Sequence, residues 1–175
     1  MILSLTGFMG CGKSCVGELL HTRLGRSLVD LDDYIKKKEG RAISTIFRDE
    51  GEAAFRRMES SALAEILDEN IDRDIVLALG GGTLTTAEAA EAIRKRTCCV
   101  YLRAGIDTLL GNLTLWPGDR PMLGANTDTE ALRSRITDLM KQRSATYEET
   151  ARVIIDIDGK GYDEVVREII ESISI

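Results

Sequence analysis

Several things are scarce in this chain, and each shortage closes off a class of answers. Two prolines in 175 residues, with 43% hydrophobic residues, exclude a proline-rich linker and a low-complexity or disordered chain. No apolar run is long enough to span a bilayer, and Met1 leads directly into strand-like residues with no basic leader, so the sequence predicts a cytoplasmic protein without membrane contact. The single histidine, His21, sits on a predicted helix with no evident partner, which removes the usual basis for histidine catalysis. The four cysteines, Cys11, Cys15, Cys98 and Cys99, make neither a metal-ligand pattern nor a disulfide framework. Cys98 and Cys99 fall in a predicted strand and read as core fillers. Excess positive charge is missing as well. A net charge of −6 speaks against nucleic acid, and any anionic ligand must be held by individual lysines and arginines.

What the chain does have is Gly7-Phe8-Met9-Gly10-Cys11-Gly12-Lys13-Ser14, the spacing of a phosphate-cradling loop. Wrapping a phosphate chain in backbone amides needs positions free of side chains and some with positive φ, which Gly7, Gly10 and Gly12 supply. The context fits. Ile2 to Thr6 reads as a strand before the loop, and Val16, Leu19, Leu20 and Leu24 recur at helical spacing after it until Gly25 stops the run. The loop therefore ends at a helix N-terminus that favours an anion, where Lys13 adds a charge for the β/γ-phosphates and Ser14 a hydroxyl for Mg²⁺.

Leu28 to Leu31 reads as a second strand running into Asp30, Asp32 and Asp33. Asp33 is expected to cap a helix from Tyr34 to Glu39, while Asp30 and Asp32 face the same way by the two-residue strand period. Ser44 is read as the cap of a short turn, and Gly51 to Leu67 as a helix with Arg56 and Glu59 three apart. Ile75 to Leu79 is a continuous apolar strand entering Gly80-Gly81-Gly82, three glycines that suggest close approach of a ligand to the backbone. Thr85 and Glu88 form a capping box for a helix to Arg96, and Thr97 to Leu102 is the fourth strand. From Leu113 to Asn126 periodicity is lost, and this stretch, with Trp116 and Arg120, reads as a lid. Thr127 and Glu130 open a helix whose inward stripe ends in Arg143, a position that suits an anion. A fifth strand from Val153 to Ile157 and a last helix complete an α/β parallel sheet, one domain over 1–175.

Six motifs in this order resemble the shikimate kinase family over nearly the whole chain. They are the phosphate loop, Asp30-Leu31-Asp32, Gly51-Glu52-Ala53-Ala54-Phe55-Arg56, Leu79-Gly80-Gly81-Gly82, Arg120-Pro121-Met122-Leu123, and Arg143 with Tyr147. The resemblance implies a P-loop NTPase fold of the nucleoside-monophosphate-kinase type: a five-stranded parallel sheet in the order 2-3-1-4-5, flanked by helices. It also implies a substrate-binding region over about 32–60 and a mobile lid over about 111–126. The implied reaction is transfer of the γ-phosphoryl group of ATP to the 3-hydroxyl of shikimate, on the route to chorismate and the aromatic amino acids, in a monomer using Mg²⁺. By position, Asp32, Lys13 and Arg120 match catalytic residues. Gly10, Cys11, Gly12, Lys13, Ser14, Cys15, Arg120 and Lys160 match the ATP site. Asp32, Arg56, Gly80, Gly81, Gly82 and Arg143 match the shikimate site, with Glu59 holding Arg56. Ser14 matches an inner ligand of Mg²⁺ and Asp30 one acting through water.

Two positions depart from the family. Leu113 stands where an arginine usually stacks on adenine, and Lys160 where a second arginine is usual. A gluconate or nucleoside monophosphate kinase is the nearest competing reading, but it gives no reason for Arg56, Arg143 and the three glycines together. A module that binds shikimate without turning it over is disfavoured by the intact Lys13, Ser14, Asp30, Asp32 and Arg120.

Overall fold

Parallel strands buried on both faces need near-continuous apolar runs, and the central strand has one: all five residues of β1 (Ile2–Thr6) are buried. The computed structural model describes residues 1–116, 121–123 and 128–173. Around β1 the chain sets α1 (Lys13–Leu24), β2 (Ser27–Asp30), α2 (Leu31–Glu39), α3 (Ile43–Glu69), β3 (Ile75–Ala78), α4 (Ala87–Arg96), β4 (Thr97–Arg103), α5 (Ile106–Leu115), α6 (Thr129–Thr150), β5 (Val153–Asp156) and α7 (Tyr162–Ile173). Short 3-10 turns lie at Thr83–Thr85 and Pro121–Leu123. The five strands pair in parallel in the order β2-β3-β1-β4-β5. No described helix is long and apolar enough to cross a membrane.

This order decides where a site can form. The connection leaving β1 goes to one side of the sheet, to β2, and the connection leaving β3 passes to the other side, to β4. A crevice opens between the carboxyl ends of β1 and β3, where the connections part. The phosphate loop follows β1 and the glycine triplet follows β3, so residues some 70 positions apart in sequence become neighbours. A Cβ added at Gly81 would stand 3.0 Å from the Met9 amide nitrogen. Cys98 and Cys99 are core fillers as expected, 6% and 1% exposed.

Several local expectations change. α2 begins at Leu31, three residues before the predicted start, and its cap is Asp30, whose side chain accepts from Asp33 N, so Asp33 caps nothing. Asp32 thus stands in the first helical turn, not on the strand. α3 begins at Ile43 with Ala42 as its cap position, and Ser44 lies inside the first turn. The chain breaks at Gly51, with φ 82° and ψ 172°, a region closed to residues with a Cβ. The Thr85–Glu88 capping box is not made: Thr86 is the cap position, and Thr85 donates to Gly82 O at 2.7 Å. The stretch expected to lose periodicity at Leu113 stays helical to Leu115, so the first residues assigned to a lid belong to α5. Asp128 caps α6 by accepting from Ala131 N at 2.8 Å, and Thr127 lies outside the described residues.

Candidate active site

At the carboxyl end of β1, the loop from Gly7 to Gly12 takes positive φ at Gly7, Gly10 and Gly12. Lys13, at the start of α1, donates Nζ to Gly7 O at 2.7 Å and Phe8 O at 3.0 Å, so its ammonium lies within the loop. Helix α5 braces the loop from outside. Asn112 donates to Gly10 O at 2.8 Å, and Leu113 packs so closely on Gly10 that a Cβ there would meet Leu113 Cγ at 2.9 Å. Leu113 is buried, and its place is the underside of the phosphate loop. Cys11 is 1% exposed with its Sγ 3.7 Å from Lys13 Nζ, so a thiol reagent reaches the exposed Cys15 and not Cys11. Lys160 pairs with Glu168 at 2.7 Å and lines a pocket on the outer side of the loop with Cys11, Asn112 and Tyr162.

Asp30, at the end of β2, and Asp32, in the first turn of α2, share the cleft with this loop. Ser14 donates to Asp30 at 3.3 Å, so the hydroxyl and carboxylate expected around a divalent cation already meet. Among the described residues no three acidic, His or Cys side chains cluster as a metal site. Asp32 is half-buried, and its pKa is pushed from 3.8 up to about 6 by burial, then by the negative charges of Asp30 and Glu59, against the pull of Lys13 and Lys36.

Across the cleft, Arg56 donates to Glu59 at 2.6 Å and lies 3.5 Å from Glu52. Glu59 is itself buried and accepts from Thr83 at 2.6 Å. Arg143 on α6 is 4% exposed, donates to Gly81 O at 3.1 Å, and holds its guanidinium carbon 5.9 Å from the centre of the Phe8 ring. No carboxylate among the described residues pairs with it. A buried guanidinium without a counter-charge is costly to maintain, and an anion in the cleft would relieve it.

The three glycines after β3 are crowded by the protein itself on the wall of the cleft. None has positive φ. A Cβ at Gly80 would meet Glu59 at 2.9 Å and Asp32 at 3.0 Å, at Gly81 the phosphate loop, and at Gly82 the Arg56 guanidinium at 2.2 Å. One cleft is lined by Lys13, Ser14, Asp30, Asp32, Arg56, Glu59, Gly80, Gly81, Gly82 and Arg143, together with Pro121 and Met122. Arg120 lies outside the described residues, though its successors reach this cleft. Thr83 is the residue that sequence reasoning missed. Its only signal was a hydroxyl directly after three glycines.

The profile of the shikimate kinase family matches residues 9–174. The chain belongs to the shikimate kinase family. A shikimate kinase of Thermus thermophilus is 39% identical over 171 residues, spanning 98% of this chain and 89% of the relative. Among solved structures, a shikimate kinase from Acinetobacter baumannii in complex with shikimate superposes with a TM-score of 0.89 at 32% identity, covering 97% of this chain and 90% of that one. The shikimate kinase from Bacteroides thetaiotaomicron gives a TM-score of 0.90 at 25% identity, covering 100% and 99%. The activity is accordingly that of a shikimate kinase, an ATP-dependent step of the shikimate pathway that leads to the aromatic amino acids. The expected sheet order 2-3-1-4-5 is the one observed.

Proposed function

We propose that Asp32, Arg56 and Arg143 hold shikimate over the phosphate loop, with Asp32 taking the proton as the 3-hydroxyl attacks the γ-phosphorus of ATP. The new oxygen–phosphorus bond forms as the bond to the β,γ-bridging oxygen breaks, and ADP leaves with that oxygen's electrons. The observation that carries this reading is Arg143, a buried guanidinium with no carboxylate partner among the described residues, opening into the same cleft as Lys13 and Asp32. Its planar fork suits a carboxylate, and each charge-assisted bond contributes about 1.5–3 kcal/mol. Arg56, pinned by Glu59, is the second half of that grip.

Lys13 exchanges the Gly7 and Phe8 carbonyls for the β/γ-phosphate oxygens. Gly10, Gly12 and the backbone of Cys11, Ser14 and Cys15 surround the phosphates. Ser14 and Asp30 are the residues for Mg²⁺, which when bound neutralises charge developing between the β- and γ-phosphates. Asp32 orients the hydroxyl from the first turn of α2. Arg120 serves the transferring phosphate from the lid, and Lys160 and Asn112 border the base. The four free cysteines suit the reducing cytoplasm.

With Mg²⁺ and ATP, shikimate is expected to be phosphorylated at about 1–100 per second, the usual kinase range. ADP release coupled to gluconate but not to shikimate would overturn the assignment. Trp116, 75% exposed where α5 ends, marks the start of the lid segment. ATP is expected to change its fluorescence, and shikimate to enlarge the change. Trp116→Ala should weaken nucleotide binding alone. A signal indifferent to both ligands would restrict the lid to residues beyond it.

A further inference from the structure

The carbonyl of Gly81 receives two donors from one helix. Arg143 donates to it at 3.1 Å, and the Tyr147 hydroxyl, one turn further along α6, donates to the same oxygen. Tyr147 is 1% exposed, and its ring packs on Tyr101 with centroids 5.1 Å apart, so the core fixes where that hydroxyl points. A carbonyl oxygen has two lone pairs, and these two donors fill both. On its other side Gly81 rests against Met9 of the phosphate loop. The peptide unit is planar and trans, so holding the Gly81 oxygen also fixes the N–H of Gly82, which points the opposite way. Gly82 in turn lies under the Arg56 guanidinium. A single peptide plane therefore links both arginines and the phosphate loop, and Tyr147 is its uncharged side-chain donor, held in the core.

We propose that Tyr147 is a positioning residue for the substrate carboxylate: its hydroxyl shares the Gly81 carbonyl with Arg143 and so sets both the Arg143 fork and the Gly81–Gly82 peptide. The proposal rests on the reading that Arg56 and Arg143 grip that carboxylate. Without the hydroxyl, the peptide plane is held by Arg143 alone, and a shikimate molecule arriving at the cleft must order both.

Tyr147→Phe keeps the ring and its packing on Tyr101 while deleting the donor, and Arg143→Lys in the same background reports on the grip itself. In steady-state assays Tyr147→Phe is expected to raise KM for shikimate roughly five- to tenfold, with kcat within about twofold, KM for ATP unchanged and the melting temperature close to that of the parent. In the double variant the two effects should be less than multiplicative, because both act on one carbonyl. If Arg143→Lys raises KM for shikimate and Tyr147→Phe does not, the positioning role is wrong and the carboxylate grip stands. If neither variant moves it, the grip is wrong as well. A Tyr147→Phe chain that fails to fold, or that loses affinity for ATP equally, would also overturn the proposal, because the hydroxyl would then serve the fold.

Discussion

Asp32→Asn is expected to lower kcat by about 10²–10⁴-fold, the usual contribution of a positioned base, while making the protein harder to unfold at neutral pH. The amide keeps the size of the carboxylate and cannot accept the hydroxyl proton. Stability moves the other way because of the raised pKa. Folded, Asp32 titrates at about 6, against 3.8 for an ordinary aspartate, so the folded chain binds the proton more tightly than the unfolded one. As pH rises past 3.8 the unfolded chain ionises first, and stability falls until the folded group has also ionised above about 6. The difference corresponds to about 3 kcal/mol of unfavourable free energy in the ionised form. Asparagine removes it, so the variant should melt roughly 5–10 °C higher at pH 8 and at nearly the parent temperature below pH 4. The parent kcat/KM should rise with pH to a plateau above about pH 6, where the base is free. Near-normal kcat in the asparagine variant, or a melting gain that persists undiminished at pH 4, would show that Asp32 neither takes the proton nor carries the strain assigned to it.

The second large effect is expected at a residue that bears no functional group. Gly82→Ala should raise KM for shikimate by roughly 10–100-fold, the size expected when a charge-assisted contact of about 1.5–3 kcal/mol is lost. A Cβ at position 82 would lie 2.2 Å from Arg56 Nη2 and 2.7 Å from its Cζ, well inside contact distance. A guanidinium at the end of a long side chain can move aside, so the fold should survive. It moves only by leaving Glu59 and the orientation the carboxylate needs. Arg56→Lys is expected to match this loss, since lysine presents a point charge in place of a fork. The control is Gly51→Ala, where no atom lies within 4 Å of the added carbon but φ is +82°. That change should cost stability through backbone strain of about 1–3 kcal/mol. If calorimetry finds shikimate binding intact in Gly82→Ala, Arg56 does not depend on its seat over that glycine.

Motif chemistry explains what sequence alone could decide. Backbone amides around a phosphate need glycines at fixed spacing and a helix to follow, so the loop from Gly7 and the helix beginning at Lys13 were legible without help from the rest of the chain. Alternation of apolar strands with helical stripes likewise determined a parallel α/β sheet, because its inner strands bury both faces. The inward position of Arg143, an arginine closing an apolar stripe, was legible, and the structure finds it 4% exposed. Helix limits were less legible. Asp30 and Asp33 were both candidates for one cap, and Asp30, which also accepts from Ser14 of another element, is the one that makes it.

Contacts between segments far apart in sequence were settled only by the tertiary structure. The glycines at 80, 81 and 82 are glycines because Glu59, the phosphate loop and Arg56 occupy the space their side chains would need, and no local pattern encodes such crowding. Leu113 belongs to a helix under the phosphate loop because Gly10 leaves room for it there. Thr83 gains its partner only when α3 packs beside the turn after β3, and Tyr147 only when α6 does. Sequence determines the phosphate-loop pattern, since its geometry is local. The sheet order determines which carboxylates, guanidinia and carbonyls share one cleft, since burial and desolvation depend on everything that packs around them.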